Sequence, residues 1–154
     1  MATSPSITRS GSANPIPAPA GVGALAKLAY FLMFVGLLGL AATGIGTFAL
    51  GWAPMTHWVL MGHVGGSPLF TIGLTLVALT WPARLHAHSG LSRFLFWILL
   101  VAGLVVVLSG VVPMTPLFGT EGQHLLYLAH RYGAIALAVV AGLHLVSLAF
   151  GSRR

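Results

Sequence analysis

Four long apolar segments dominate this chain of 154 residues and constrain its fold more than any other feature. They cover residues 24–50, 57–80, 91–112 and 122–150, and each exceeds the roughly 20 apolar residues that a bilayer-spanning helix needs. Only 5% of the residues are charged and 57% are hydrophobic, a composition that a soluble domain of this length does not have. The sequence therefore predicts an all-α protein, an integral membrane four-helix bundle.

The segment before the first predicted helix has a different composition. Residues 1–23 are rich in Ser, Pro, Ala and Gly, and Arg9 is their only charge. Such a segment buries too little apolar surface to fold, so we predict a disordered cytoplasmic tail at 1–23 and a four-helix transmembrane domain at 24–154. A secretory signal is not expected, because no basic start is followed directly by an apolar run.

The basic residues predict the orientation of the bundle. Lys27, Arg84, Arg93, Arg153 and Arg154 all flank predicted helix ends on the same face of the membrane. Lys and Arg concentrate in the short cytoplasmic segments of membrane proteins, so both termini are expected to be cytoplasmic. The net charge of +6 is thereby explained by topology, and nucleic acid is not expected as a partner.

The inventory of metal-binding side chains is narrow. The chain has no cysteine, which excludes thiolate-held iron–sulfur clusters and Cys-ligated zinc, and it has one carboxylate, Glu121. Paired-acid catalysis and carboxylate-rich metal sites are therefore not expected. Seven histidines remain as the strong ligands.

Two of these histidines are predicted to lie at the same depth in the bilayer. His63 is about one and a half turns from the start of the second helix, and His130 is at a similar depth in the fourth. Two neutral imidazoles on opposing helices, with no acidic ligand nearby, suit the axial positions of a haem iron. His57 and His124, six residues earlier, are turned away by ~120° and are expected to meet solvent, headgroups or haem propionates.

Two further residues extend the predicted site. Arg131, beside His130, is expected to pair with a haem propionate. His144 is 14 residues after His130 and within ~40° of the same helix face, about 21 Å further along the axis. It is therefore a candidate ligand of a second haem, with Met33 of the first helix as a partner that reaches its layer. The alternative for each histidine is an interhelical hydrogen bond.

Small residues and one proline also mark the helix interiors. Glycines in the first helix (Gly36, Gly39) and the second (Gly62, Gly65, Gly66) predict close helix packing, room for a flat cofactor, or both. Pro68 is expected to free the carbonyl of Val64 and to kink the second helix, which either opens space beside His63 or accommodates packing.

Two stretches of the sequence resemble a known family. GTEGQHLLYLAHRYGAIALAVVAGLHL, from Gly119 to Leu145, is similar to the last helix of four-helix membrane b-type cytochromes, and HVGGSPLF, from His63 to Phe70, resembles the same group. These are the haem subunits of respiratory formate dehydrogenases and nickel–iron hydrogenases, and small stand-alone bacterial proteins. In that family the first helix often carries a histidine for an inner haem, whereas this sequence has Tyr30 and Met33 there.

The resemblance implies a haem b protein of the bacterial inner membrane. Such a protein passes electrons between membrane quinone and a redox subunit or c-type cytochrome at the outer face, as a subunit rather than a complete enzyme. A haemless membrane anchor, in which histidines only bond helices together, is the alternative. A histidine-box oxygenase or metal transporter is disfavoured, because closely spaced His-x-x-His pairs and acidic ligands are missing.

Overall fold

The computed structural model describes residues 20–51, 55–82 and 90–151, and helices account for nearly all of them. Helix α1 is Ala20–Ala49, α2 is His57–Thr80, α3 is Gly90–Val111 and α4 is Thr120–Gly151, and a 3-10 turn at Val112–Met114 follows α3. The predicted all-α fold of four long helices is confirmed.

Two helices begin earlier than the hydropathy predicts. Helix α1 includes residues 20–23, which the composition places in the disordered tail, because the last proline of that tail precedes Ala20 and no residue of 20–23 lacks the backbone N–H that a helix needs. The rest of that tail, residues 1–19, lies outside the described part of the chain. Helix α4 includes Thr120 and Glu121, and the carboxylate in its first turn faces the positive end of the helix dipole.

All four helices are long and apolar enough to cross a bilayer. The qualifying segments are Gly23–Ala49, His57–Thr80, Gly90–Met114 and Thr120–Phe150. Large apolar side chains cover the outside of the bundle, and Leu38 and Leu79 leave more than two thirds of their surface exposed, at 72% and 74%. Lipid tails solvate such side chains, so the chain is a multi-pass membrane protein.

The helices pack as two hairpins. Helix α1 packs mainly against α2, and α3 packs mainly against α4, while contacts from α1 to α4 and from α2 to α3 are fewer. Gly36 lies against the backbone of Phe70, and Gly73 lies against the backbone of Met33, so that α1 and α2 approach closely. The close packing predicted for Gly36 is confirmed.

The most completely buried side chains are concentrated in one half of the bundle, which is called the closed half below. Its fully buried side chains are close to the N-terminal end of α1 and the C-terminal end of α4: Met33, Val77, Phe96, Leu99, Leu137 and His144. The other half, where α1 is followed by α2, has fewer buried side chains, among them Thr47, Val106 and Ser109, and contains two cavities, so it is called the open half below. The fold thus combines a closed half with an open one.

Helix α2 continues through Pro68 without interruption. A proline cannot donate to the carbonyl four residues earlier, which leaves the carbonyl of Val64 without its helical partner. The hydroxyl of Ser67 donates to that oxygen at 2.8 Å. The freed carbonyl expected from the sequence is therefore satisfied within the same turn.

Candidate functional site

His63 and His130 face each other across the open half of the bundle. They come from α2 and α4, the diagonal pair of helices, and their ring centroids are 6.3 Å apart with an interplanar angle of 80°. Both side chains are half-buried. The structure therefore brings together the two histidines for which the sequence predicted a common layer.

The ring of His130 is held by the neighbouring helix α3. Its Nδ1 lies 2.9 Å from the carbonyl oxygen of Val106, with the hydroxyl oxygen of Ser109 at 3.5 Å. A carbonyl only accepts, so Nδ1 carries the proton and Nε2 presents a lone pair. A Cβ at Gly110 would lie 3.0 Å from Cε1 of this ring, so the glycine allows the imidazole to approach α3.

The ring of His63 is held in a similar way by helix α1. Its Nδ1 lies 2.8 Å from the hydroxyl oxygen of Thr43, and a Cβ at Gly44 would lie 3.3 Å from its Cε1. Among residues 20–51, 55–82 and 90–151, no hydrogen-bond partner is found for Nε2 of either ring. Each imidazole is thus anchored through one nitrogen and has its other nitrogen available as a ligand.

Two cavities extend from the histidine pair. One, of about 280 Å³, lies on the side of α1 and α4, and its walls include Ala41, Gly44, Ile45, Ala134 and Ile135. The other, of about 300 Å³, lies on the side of α2 and α3, and its walls include Val64, Ser67, Thr71, Val107 and Gly110. Both reach His63 and His130, so a mainly apolar space surrounds the two rings.

This arrangement fits the axial ligands of a haem. An iron bound at about 2 Å by one nitrogen of each ring would place the ring centroids roughly 6 Å apart, as found here. The two cavities beside the rings, of about 280 and 300 Å³, are close to the lower limit of the range of about 300–1,000 Å³ that is typical of ligand pockets. Gly44 and Gly110 keep that space clear of side chains next to the two imidazoles.

Arg131 lies in the wall of the cavity between α1 and α4. Its guanidinium stacks on the ring of Phe48 at 3.8 Å from the centroid and lies 5.8 Å from that of Tyr132. Its Nε is buried, and within the described part of the chain it has no hydrogen-bond partner. The predicted cation at this end of the site is therefore in place, with a donor available for an anionic group.

His144 is in a different environment from His63 and His130. It is completely buried in the closed half, where the Tyr30 hydroxyl lies 2.5 Å from its Nε2 and the ring of Phe96 is 6.1 Å away between centroids. Met33 is also completely buried and belongs to the same core. Because Nε2 is already bonded, the surroundings of His144 give a second haem no support.

The remaining histidines lie apart from this site. His57 and His124 are exposed, as their helix positions predicted, and His86 and His88 fall outside the described residues. Within the three described ranges, no three His, Asp or Glu side chains form a group that could hold a metal ion. The pair His63–His130 is suited to an iron whose other ligands come from a porphyrin.

Sequence reasoning missed the residues that hold the two rings. Gly39, Gly62 and Gly65, which it singled out, have open space where a Cβ would be, and they are exposed on the outside of the bundle. The glycines beside the imidazoles are Gly44 and Gly110. Their depth in the bilayer could have identified these two glycines, because each lies on an adjacent helix close to the layer of His63 and His130.

Comparison with known proteins adds nothing to this geometry. No protein-family model matches the sequence, and no curated protein or solved structure is significantly similar to the chain. The functional conclusion accordingly rests on the residues and their arrangement.

Proposed function

We propose that this chain is a membrane-bound electron-transfer protein that carries one haem b, with His63 and His130 as the two axial ligands of the iron. The observation that carries the proposal is the imidazole pair itself, with centroids 6.3 Å apart, each ring anchored through Nδ1, and a cavity on either side. A haem bound there supplies one-electron Fe(III)/Fe(II) chemistry.

The side chains of the site favour electron transfer over chemistry on a substrate. With His63 and His130 as its two axial ligands, a bound haem would have no position left for oxygen or a substrate. The walls around them are mostly apolar, which excludes water and favours the less charged state of a buried metal group. The chain is therefore proposed as a redox subunit and not as a complete enzyme.

Arg131 is proposed to bind a propionate of the haem. Arg131 follows the proposed ligand His130 on α4, and its guanidinium stacks on the ring of Phe48 from α1. Arg131 is half-buried in an apolar wall, where a cation is costly unless an anion pairs with it, and a carboxylate accepts hydrogen bonds from a guanidinium with good geometry. The pairing would fix which edge of the macrocycle faces α1 and α4.

The partners and location are proposed from the basic residues and from the resemblance to b-type cytochromes. With Lys27 and Arg93 on the cytoplasmic face of a bacterial inner membrane, the His63–His130 end of the bundle faces outward. Electrons would then pass between membrane quinone and a redox subunit or c-type cytochrome that docks at that outer face. The bundle surface itself contacts lipid.

Single histidine substitutions, each with a matched control on the same helix, test the proposal. His63→Gln and His130→Gln are expected to abolish the b-type absorbance bands of the purified protein, because each removes one axial ligand. His57→Gln and His124→Gln are matched controls, since each lies six residues earlier on the same helix and is exposed. Equal haem content in all four variants would contradict the proposed ligands.

A second candidate function is that of a haemless membrane anchor. It is favoured by the fact that each of three histidines bonds a helix other than its own through a ring nitrogen: His63 and His144 contact α1, and His130 contacts α3. Such hydrogen bonds stabilise membrane bundles by about 1 kcal/mol each. In an anchor the histidine variants would lower stability while the unmodified protein would show no haem bands.

A further inference from the structure

The hydroxyl of Thr43 makes three contacts that together fix its role. Its oxygen lies 2.8 Å from the carbonyl oxygen of Gly39, 3.1 Å from that of Leu40 and 2.8 Å from Nδ1 of His63. A hydroxyl has a single hydrogen, and the two carbonyls of the preceding turn can only accept it. Toward His63 the Thr43 oxygen is therefore the acceptor.

This assignment determines the proton position on His63. Because Thr43 accepts, Nδ1 of the ring carries the hydrogen, and Nε2 has the lone pair that a metal requires. Rotation of the ring about its χ angles would break a 2.8 Å hydrogen bond, so the same contact also orients the imidazole.

The two histidines differ in the chemistry of their anchors. His130 donates to a backbone carbonyl, that of Val106, which no substitution removes. His63 donates to a side chain on another helix, which is a weaker and replaceable acceptor. The Ser109 hydroxyl is 3.5 Å from Nδ1 of His130, whereas the Thr43 hydroxyl is 2.8 Å from Nδ1 of His63, so Thr43 is the shorter of the two side-chain contacts that a substitution can remove.

We infer that Thr43 is a positioning residue for the haem, which fixes the tautomer and orientation of His63 and raises the basicity of its ligating nitrogen. The inference rests on the proposed function and goes beyond it, because Thr43 touches neither cavity and acts only through His63. A more basic imidazole favours Fe(III), so the hydrogen bond lowers the midpoint potential.

The test compares Thr43→Val, Thr43→Ser and Thr75→Val in the full chain. Valine keeps the shape of threonine and removes the acceptor, whereas serine retains the hydroxyl. Thr75 is the control, because its exposed hydroxyl bonds only the carbonyl of Thr71 in its own helix. The measurements are the midpoint potential by redox titration and the dissociation constant for haem, determined by titrating haem into haem-depleted protein.

Thr43→Val is expected to raise the midpoint potential and to weaken haem binding by about 10- to 100-fold, the usual effect of removing a partner that orients a ligand. Thr43→Ser is expected to restore both values, and Thr75→Val to change neither. Unchanged potential and affinity in Thr43→Val, with haem present in the unmodified protein, would overturn this inference alone. Failure of the unmodified protein to bind haem would overturn the proposed function, and the inference with it.

Discussion

One of the two close approaches between α1 and α2 depends on Gly36, and its replacement by alanine should separate the two helices. A Cβ at this position would lie 2.6 Å from the backbone nitrogen of Phe70 and 2.8 Å from its Cα. Comfortable contacts between non-bonded heavy atoms are roughly 3.5 Å, so the helices must move apart by about 1 Å. The obstacle is backbone, which no change of rotamer can relieve.

The expected cost of Gly36→Ala is about 1–3 kcal/mol of unfolding free energy, the range found for overpacked cores. The position lies among Met33, Leu37 and Phe70 of the buried core, so a separation there weakens contacts on both helices. Unfolding in mixed detergent micelles, followed by far-ultraviolet circular dichroism, measures this change.

Gly39→Ala is the matched control on the same helix. It lies three residues further on, is exposed, and a methyl group added there would meet no atom within 4 Å. Alanine there should leave stability unchanged or raise it by roughly 0.5–1 kcal/mol through helix propensity. Equal stability of Gly36→Ala and Gly39→Ala would refute the helix contact on which the packing of the α1–α2 hairpin is based.

Two further predictions concern Tyr30, which bonds His144 in the core, and Arg131 in the cavity wall. Tyr30→Phe should destabilise the protein by about 1 kcal/mol, because it leaves Nε2 of the buried His144 without its hydroxyl partner, and micelle unfolding measures this loss. The haem content should not change in that variant, and a gain of a second haem would show that the hydroxyl had been blocking a ligand. Arg131→Met should keep the packing on Phe48 but lose the cation, so haem affinity should fall by roughly 10-fold if a propionate pairs there. Unchanged affinity in Arg131→Met would exclude that pairing.

Much of the fold followed from the sequence, because each helix is specified locally. Hydropathy alone located four membrane-spanning helices, and the rise per residue placed His63 and His130 in a common layer. Errors in the helix bounds were confined to helix ends, such as the start of α1, where the helix extends through residues 20–23 after the last proline of the tail.

The details of the site could not be predicted because they depend on which helices meet and at what rotation. The contacts of His63 with Thr43 and of His130 with the carbonyl of Val106 arise only once the hairpins have packed. The same holds for Tyr30 and His144, whose hydrogen bond closes the layer in which a second haem was a candidate. Helical periodicity gives the depth and face of a residue but does not identify its neighbour on another helix.

The most direct test of the central claim is the haem content of the unmodified protein, purified in detergent from cells supplied with iron and a haem precursor. A dithionite-reduced minus oxidised spectrum identifies the haem type, and the pyridine haemochrome method gives the amount per chain. The account predicts a b-type spectrum at about one haem per chain, bound by His63 and His130. A protein that is folded and free of haem under these conditions would contradict it and would leave the anchor function as the better explanation.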